Sequence, residues 1–201
     1  MIGVIVPELK CVSYILEKCQ FKQIEKNIYK CNYYHSKFLT IISGYGKVNI
    51  ALSTEHLITN YNIQFIISLG LASCRPCSNI NILDIIIPLE VCELNSYNNI
   101  YKSNQLINNK IINSLKYTNN KYLERKIYTT EEMFPLLPIN INIIDYDIGI
   151  IGKICNEKKV PFTGIKIITF FLNCHQVNQY YLYNEKAYIK SNKIFLDFLL
   201  T

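Results

Sequence analysis

The chain has 201 residues, 50% of them hydrophobic and 18% charged, and a formal net charge of +6 from 21 Lys and Arg against 15 Asp and Glu. That composition belongs to a folded domain with room for one core and excludes a disordered segment. The lysines are scattered singly from Lys10 to Lys193 and only Arg75 and Arg125 are arginines, so no basic stripe marks a nucleic-acid face.

Residues 2–7 (IGVIVP) predict a buried strand, and residues 9–18 a helix. Alternating stretches at 26–34 and 37–43 predict a strand pair, after which Gly44-Tyr45-Gly46 turns the chain. Residues 47–60 have helical apolar spacing through Val48, Ala51, Leu52 and Ile58. The continuous apolar run at 64–69 (QFIISL) suits a strand covered on both faces, with a loop expected over 70–80 and a further strand at 82–87. Ser103 is placed to cap a helix carrying Leu106, Ile107, Ile111 and Leu115. Strands are expected at 126–129, 140–144 and 162–168, with helices at 147–158 and 184–200. Alternating strands and helices imply a single-domain α/β sandwich with ligand outside the carboxyl ends of the strands. Residues 70–75, 133–134, 145–147 and 169–170 reach that edge.

No secretory leader pattern opens the chain and no run approaches the ~18 apolar residues of a membrane span, so a cytosolic protein is expected. In that setting the eight cysteines are reduced, and most sit in apolar runs as small core residues. Cys74 and Cys77 form a lone CxxC, which keeps a redox or metal module as an alternative. Cys174-His175 does not complete a familiar zinc pattern, so no metal site and no cofactor are assigned. Gly44-Tyr45-Gly46-Lys47 lacks the spacing of a phosphate-binding Walker loop.

Several short motifs occur in an order that resembles the nucleoside phosphorylase and nucleosidase superfamily, and most closely its 5′-methylthioadenosine/S-adenosylhomocysteine nucleosidases. Residues 2–6 match the family's opening IGIIG strand, and 43–48 (SGYGKV) its SGIGKV turn into a helix. Residues 66–72 (IISLGLA) match INTGSAG, and 84–87 (DIII) its GDIVV strand. Asp145-Tyr146-Asp147 falls on V-E-M-E-A, Val160-Pro161-Phe162 on VPF, and 166–170 (KIITF) on R-A-I-S-D. The resemblance covers most of the chain and implies a three-layer α/β sandwich with a mixed central sheet, of the phosphorylase/hydrolase kind.

It also implies the chemistry: cleavage of the bond between ribose and a purine through a cationic transition state. A leaving base needs a proton, water needs a base, and the ribosyl cation needs nearby negative charge, so each role asks for a carboxylate. Carried across residue by residue, the leaving-group acid falls on Phe170, which can neither give nor take a proton. The water-activating glutamate falls on Cys11, with Glu8 one turn earlier as the nearest substitute. The ribose-binding glutamate becomes Asp147, shorter by one methylene or about 1.5 Å. Tyr146 stands for the methionine behind the ribose, Met133 or Phe134 for the stacking aromatic, and Leu71, Ser73 and Cys74 for the loop glycines and serine.

The resemblance therefore implies a nucleosidase-type protein with Asp147 and Glu8 as its candidate catalytic acids. Leu71, Ser73, Met133, Phe134, Asp145 and Tyr146 are its candidate ligand contacts. Catalysis is expected to be weakened or lost, with a nucleoside-like ligand still bound or with Phe170 closing the pocket. Relatives pair through helices beside the site, which implies a homodimer. Rewired chemistry through Glu8, Asp145 or Glu132 is the alternative. Phosphorolysis asks for an arginine where this chain has Ser68, although Lys10 and Arg75 are nearby cations. Asp145 and Asp147 also suit a plainer role, capping the helix that follows them.

Overall fold

The computed structural model describes residues 1–76, 79–94, 99–132, 138, 141–172 and 181–201. Within them ten strands form one mixed sheet: β1 (Ile2–Val6), β2 (Gln20–Glu25), β3 (Ile28–Tyr33), β4 (Ser36–Ile42), β5 (Phe65–Cys74), β6 (Ile85–Glu93), β7 (Ile100–Lys102), β8 (Tyr122–Thr129), β9 (Ile143–Asp145) and β10 (Phe162–Phe171). The helices are α1 (Ser13–Lys18), preceded by a 3-10 turn at Leu9–Val12, then α2 (Lys47–Asn60), α3 (Gln105–Tyr117), α4 (Ile148–Glu157) and α5 (Asn184–Phe198).

Continuous apolar runs become central strands because both faces of the sheet are covered. Val4 and Val6 of β1 face a core shared with α1, α3 and α5, whereas Ile5 between them faces a second core shared with α2 and α4. Ile85, Ile86 and Ile87 divide in the same way. These are the three layers of an α/β sandwich. The sheet also closes partly on itself: β5 pairs with β10, β10 with β6, β6 with β8, β8 with β9, and β9 with β5 again. From β5 the other arm runs open through β1, β4 and β3 to the border strand β2, which is exposed along its length.

Several boundaries differ from expectation for local reasons. β5 continues through Cys74 where a loop is predicted, because β10 pairs with it in parallel as far as Cys74 and β9 pairs with Ser73 and Cys74 from its other side. β6 starts at Ile85 because the chain first turns at residues 81–84: Leu83 has φ +68° and the Asn81 N–H donates to the Asp84 carboxylate at 2.9 Å. α3 is capped by Asn104, whose Oδ1 accepts from the Ile107 N–H at 3.1 Å, and not by Ser103. β2 and β7 are strands the apolar pattern does not announce, both lying mostly at the surface.

Two features of the fold prepare the site. Gly44 and Gly46 adopt φ of +77° and +92°, a turn that L side chains resist, and so deliver Tyr45 between β4 and α2. Between Ile168 and Phe170 the β10 pairing skips one residue relative to Ala72 and Ser73 of β5. Thr169 is thus the extra residue of a bulge, which re-aims the side chains beyond it.

Candidate functional site

Strand ends and helix starts meet around a cavity of about 560 Å³, within the range of small-molecule sites. Pro7, Glu8 and Lys10 enter it after β1, Tyr45 and Gly46 from the turn before α2, and Leu71 from β5. Glu131 follows β8, Tyr146 and Asp147 follow β9, Tyr181 precedes α5, and Asn184 and Tyr188 come from the first turns of α5. An open cavity beside Tyr146 and Asp147 is thus part of the fold.

β9 runs antiparallel to β5 and pairs Ile144 with Ser73. The following residues descend along β5, so Asp147 arrives beside Ser68 and Gly70. The Ser68 hydroxyl donates to Asp147 Oδ1 at 3.0 Å, and Lys166 Nζ, from the facing rung of β10, bonds the same oxygen. Lys166 also lies 3.0 Å from Asp145 Oδ2 and is fully buried. A side chain at Gly70 would place its Cβ 3.2 Å from that ammonium, so the missing side chain leaves the space the pair occupies. Burial alone would pull the Lys166 pKa down, but Asp147 and Asp145 outweigh it and hold the ammonium above its ordinary value. Breaking such a buried pair leaves a desolvated charge behind, which is far costlier than losing a surface ion pair.

The two aspartates divide their labour. Asp145 Oδ2 accepts the Ile148 N–H at 3.0 Å, and Thr129 bridges Asp145 Oδ1 at 2.5 Å to the Gly149 N–H at 2.7 Å. Asp145 is therefore the side chain that caps α4. Asp147 occupies the N-cap position by its backbone but makes no side-chain cap bond, so its carboxylate is left for Lys166, Ser68 and the cavity. Burial lifts Asp145 to about 7, against the pull of Lys166 and with the push of Asp147.

On the opposite wall, Glu8 Oε1 accepts from the Tyr45 hydroxyl at 2.8 Å and the Tyr188 hydroxyl at 3.2 Å, and pairs with Lys10 at 3.2 Å. Three donors converge on one carboxylate at the cavity edge. Cys11 lies behind it, buried, with a thiol that burial raises to about 11, so it stays protonated and cannot act as a base at neutral pH. Burial first and Cys11 next also push the Tyr188 phenol up, which keeps it a donor.

Phe170 stands elsewhere. It pairs with Ser73, two residues or about 7 Å along β5 beyond Leu71, and packs with Cys92, Leu94, Tyr128, Ile141, Ile144 and Leu172. Neither Phe170 nor Ser73 lines the cavity, and both are buried. Met133 and Phe134 lie outside the described residues, as do Cys77, Cys174 and His175. Cys74 is buried within β5, and the six described cysteines are all reduced and buried. No group of three or more metal-ligating side chains occurs among the described residues. Glu132 is exposed and outside the cavity wall, whereas Glu131 beside it lines the cavity and accepts the Lys47 N–H at 2.9 Å.

The relationships of the chain accord with this architecture. A 5′-methylthioadenosine/S-adenosylhomocysteine nucleosidase of Buchnera aphidicola subsp. Schizaphis graminum is 25% identical over 221 residues, spanning 96% of this chain and 92% of the relative. In sequence and in fold the chain is similar to the nucleosidases of the nucleoside phosphorylase and nucleosidase superfamily. No protein-family model matches it. A nucleosidase structure of this kind from Borrelia burgdorferi B31, bound to adenine, superposes with a TM-score of 0.87 at 19% identity, covering 100% of this chain and 99% of that one. Another from Colwellia psychrerythraea 34H, also with adenine, gives a TM-score of 0.87 at 18% identity over 98% and 93% of the two chains. The chain thus has the sheet and helices of these nucleosidase structures.

The sequence assigns no role in the site to Lys166, Tyr45, Tyr181, Tyr188, Asn184 or Glu131, and weighs Ser68 only against phosphorolysis. Lys166 had a signal, a lone lysine inside the apolar strand FTGIKIITFF, where a charge stays only if it is paired. The tyrosines and Asn184 had none in so Tyr- and Asn-rich a chain.

Proposed function

We propose that this protein binds a purine nucleoside of the methylthioadenosine or adenosylhomocysteine type and cleaves its glycosidic bond weakly or not at all. One observation carries the reading: the cavity is open with Asp147 in its wall, while Phe170, at the position that would protonate the base, is buried in hydrocarbon away from it. Asp147 takes the ribose hydroxyls, and tyrosine rings give the base flat apolar surfaces. Adenine in the Borrelia and Colwellia structures supports the ligand class. Loss of one general acid costs about 10² to 10⁴ in rate, and Cys11 in place of a base costs more. Phosphorolysis is disfavoured because Ser68 spends its hydroxyl on Asp147 and Lys10 is paired with Glu8.

The protein works as a single cytosolic domain in a homodimer, a pairing supported by exposed Val48 and Leu52 on α2 beside the cavity turn. Calorimetry with adenosine, inosine, methylthioadenosine and adenosylhomocysteine, alongside chromatography for free base, tests the proposal. Saturable binding that Asp147→Asn abolishes, with base release at least 10²-fold below an active relative, is the expected result. Release at an ordinary enzymatic rate defeats it.

Glu8 supports a second reading, residual hydrolysis, because Tyr45 and Tyr188 hold its carboxylate at the cavity edge as a base would be held. Any slow release that Glu8→Gln removes is the mark of that activity.

A further inference from the structure

Hydrogen-bond donors and acceptors both line the cavity, and some of them already hold one another. The two tyrosine hydroxyls described above and the Lys10 ammonium are donors, and all three are committed to Glu8. Tyr146 and Tyr181 add further hydroxyls, Glu8, Glu131 and Asp147 line the wall as carboxylates, and Asn184 adds an amide oxygen. Asn184 Oδ1 is buried and has no hydrogen-bond partner among the described residues. Two other side-chain atoms share that condition, Asn32 Oδ1 and Ser103 Oγ, but neither residue lines the cavity. A buried acceptor without a partner has given up its bond to water and received nothing for it, so native proteins seldom keep one idle. Asn184 is the first residue of α5, one turn before Tyr188, so the helix that fixes Tyr188 against Glu8 fixes Asn184 as well.

We propose that Asn184 is a specificity residue of this cavity, its Oδ1 accepting a hydrogen bond from an N–H or O–H donor of the bound ligand. The inference rests on the nucleoside-binding reading and sharpens it: the site favours a ligand with an N–H or O–H donor facing Asn184 over an analogue that lacks that donor. An amide contributes to binding here without any part in bond cleavage, so the assignment holds whether or not the chain hydrolyses its ligand.

The test pairs one deleted side-chain acceptor with one deleted ligand donor. Adenosine is titrated into the wild-type chain and into Asn184→Leu, alongside inosine, with a carbonyl in place of the amine, and 2′-deoxyadenosine, 3′-deoxyadenosine and 5′-deoxyadenosine, each lacking one hydroxyl. Asn184→Leu is expected to weaken adenosine roughly tenfold, the usual size for one buried hydrogen bond. For one analogue the mutation has no further effect, because the donor it would have lost is already gone; that analogue names the partner group. Asn184→Asp, which keeps an acceptor and offers no amide N–H, retains most of the affinity. Unchanged adenosine binding by Asn184→Leu overturns the assignment, as does a loss that is the same for every analogue. Asn184→Asp behaving like Asn184→Leu overturns it too. A wild-type chain that binds none of the nucleosides, or an Asp147→Asn variant that binds adenosine normally, instead defeats the nucleoside reading itself.

Discussion

Lys166 and Phe170 stand four residues apart on β10, and they do opposite things. At Lys166 the strand faces Gly70 of β5 and carries a buried ammonium between two carboxylates. At Phe170, past the bulge at Thr169, it faces Ser73 and carries a ring packed among aliphatic and tyrosine side chains. One end of the strand holds the cavity carboxylate of Asp147 in place electrostatically, and the other is built into the core. On the proposed function, ligand binding and proton transfer fall to different rungs of the same strand.

The sharpest way to break that comparison is Lys166→Met, which leaves Asp145 and Asp147 buried without their cation. A stability loss of about 3–5 kcal/mol in denaturant unfolding is expected, together with loss of adenosine binding. A neutral result would mean that the charged corner contributes nothing. Phe170→Ala tests the other end: a cavity in the small cluster costs about 3–4 kcal/mol, yet adenosine affinity in the refolded variant stays within a few-fold of wild type. Loss of binding in step with stability would place the ring in the ligand site after all.

A smaller effect sharpens the charged corner through pH. Asp145 has a folded pKa raised to about 7 from 3.8. Between these values the folded chain keeps a proton that the unfolded chain has released, so this contribution is full below 3.8 and is lost as pH rises through about 7. Burial is the largest cause of the shift, and Lys166, Asp147 and Thr129 are the groups that face the carboxyl and adjust it. Thermal melts of wild type and Asp145→Asn at intervals across this range are expected to show a fall in wild-type stability that the amide variant lacks. Parallel melting curves would remove Asp145 from the account.

Much of this architecture was legible in the sequence. The all-apolar strands, the helix at Lys47–Asn60 and the positions of Asp145, Tyr146 and Asp147 followed from pattern and motif order. Strand limits were less so, since Gly70 reads as a breaker in isolation and is held in β5 by partners from distant sequence. The division between Asp145 as cap and Asp147 as cavity acid was not readable, because both precede the same helix and only the descent of the chain beside Ser68 separates them. Nor was the displacement of Phe170 from the cavity: its position along the motif was plain, but the bulge that governs its surroundings is a property of paired strands.

The self-joined arm of the sheet leaves β2 as the long border among the described strands. Its ladder groups would offer a template for another copy's backbone, but Lys22 and Glu25 put charge on it, and the pairing with β3 slips between Gln23 and Glu25. A charged, kinked rim is poor material for fibril growth. Such a safeguard against clumping serves the folded chain at high concentration, whatever becomes of the chemistry at its centre.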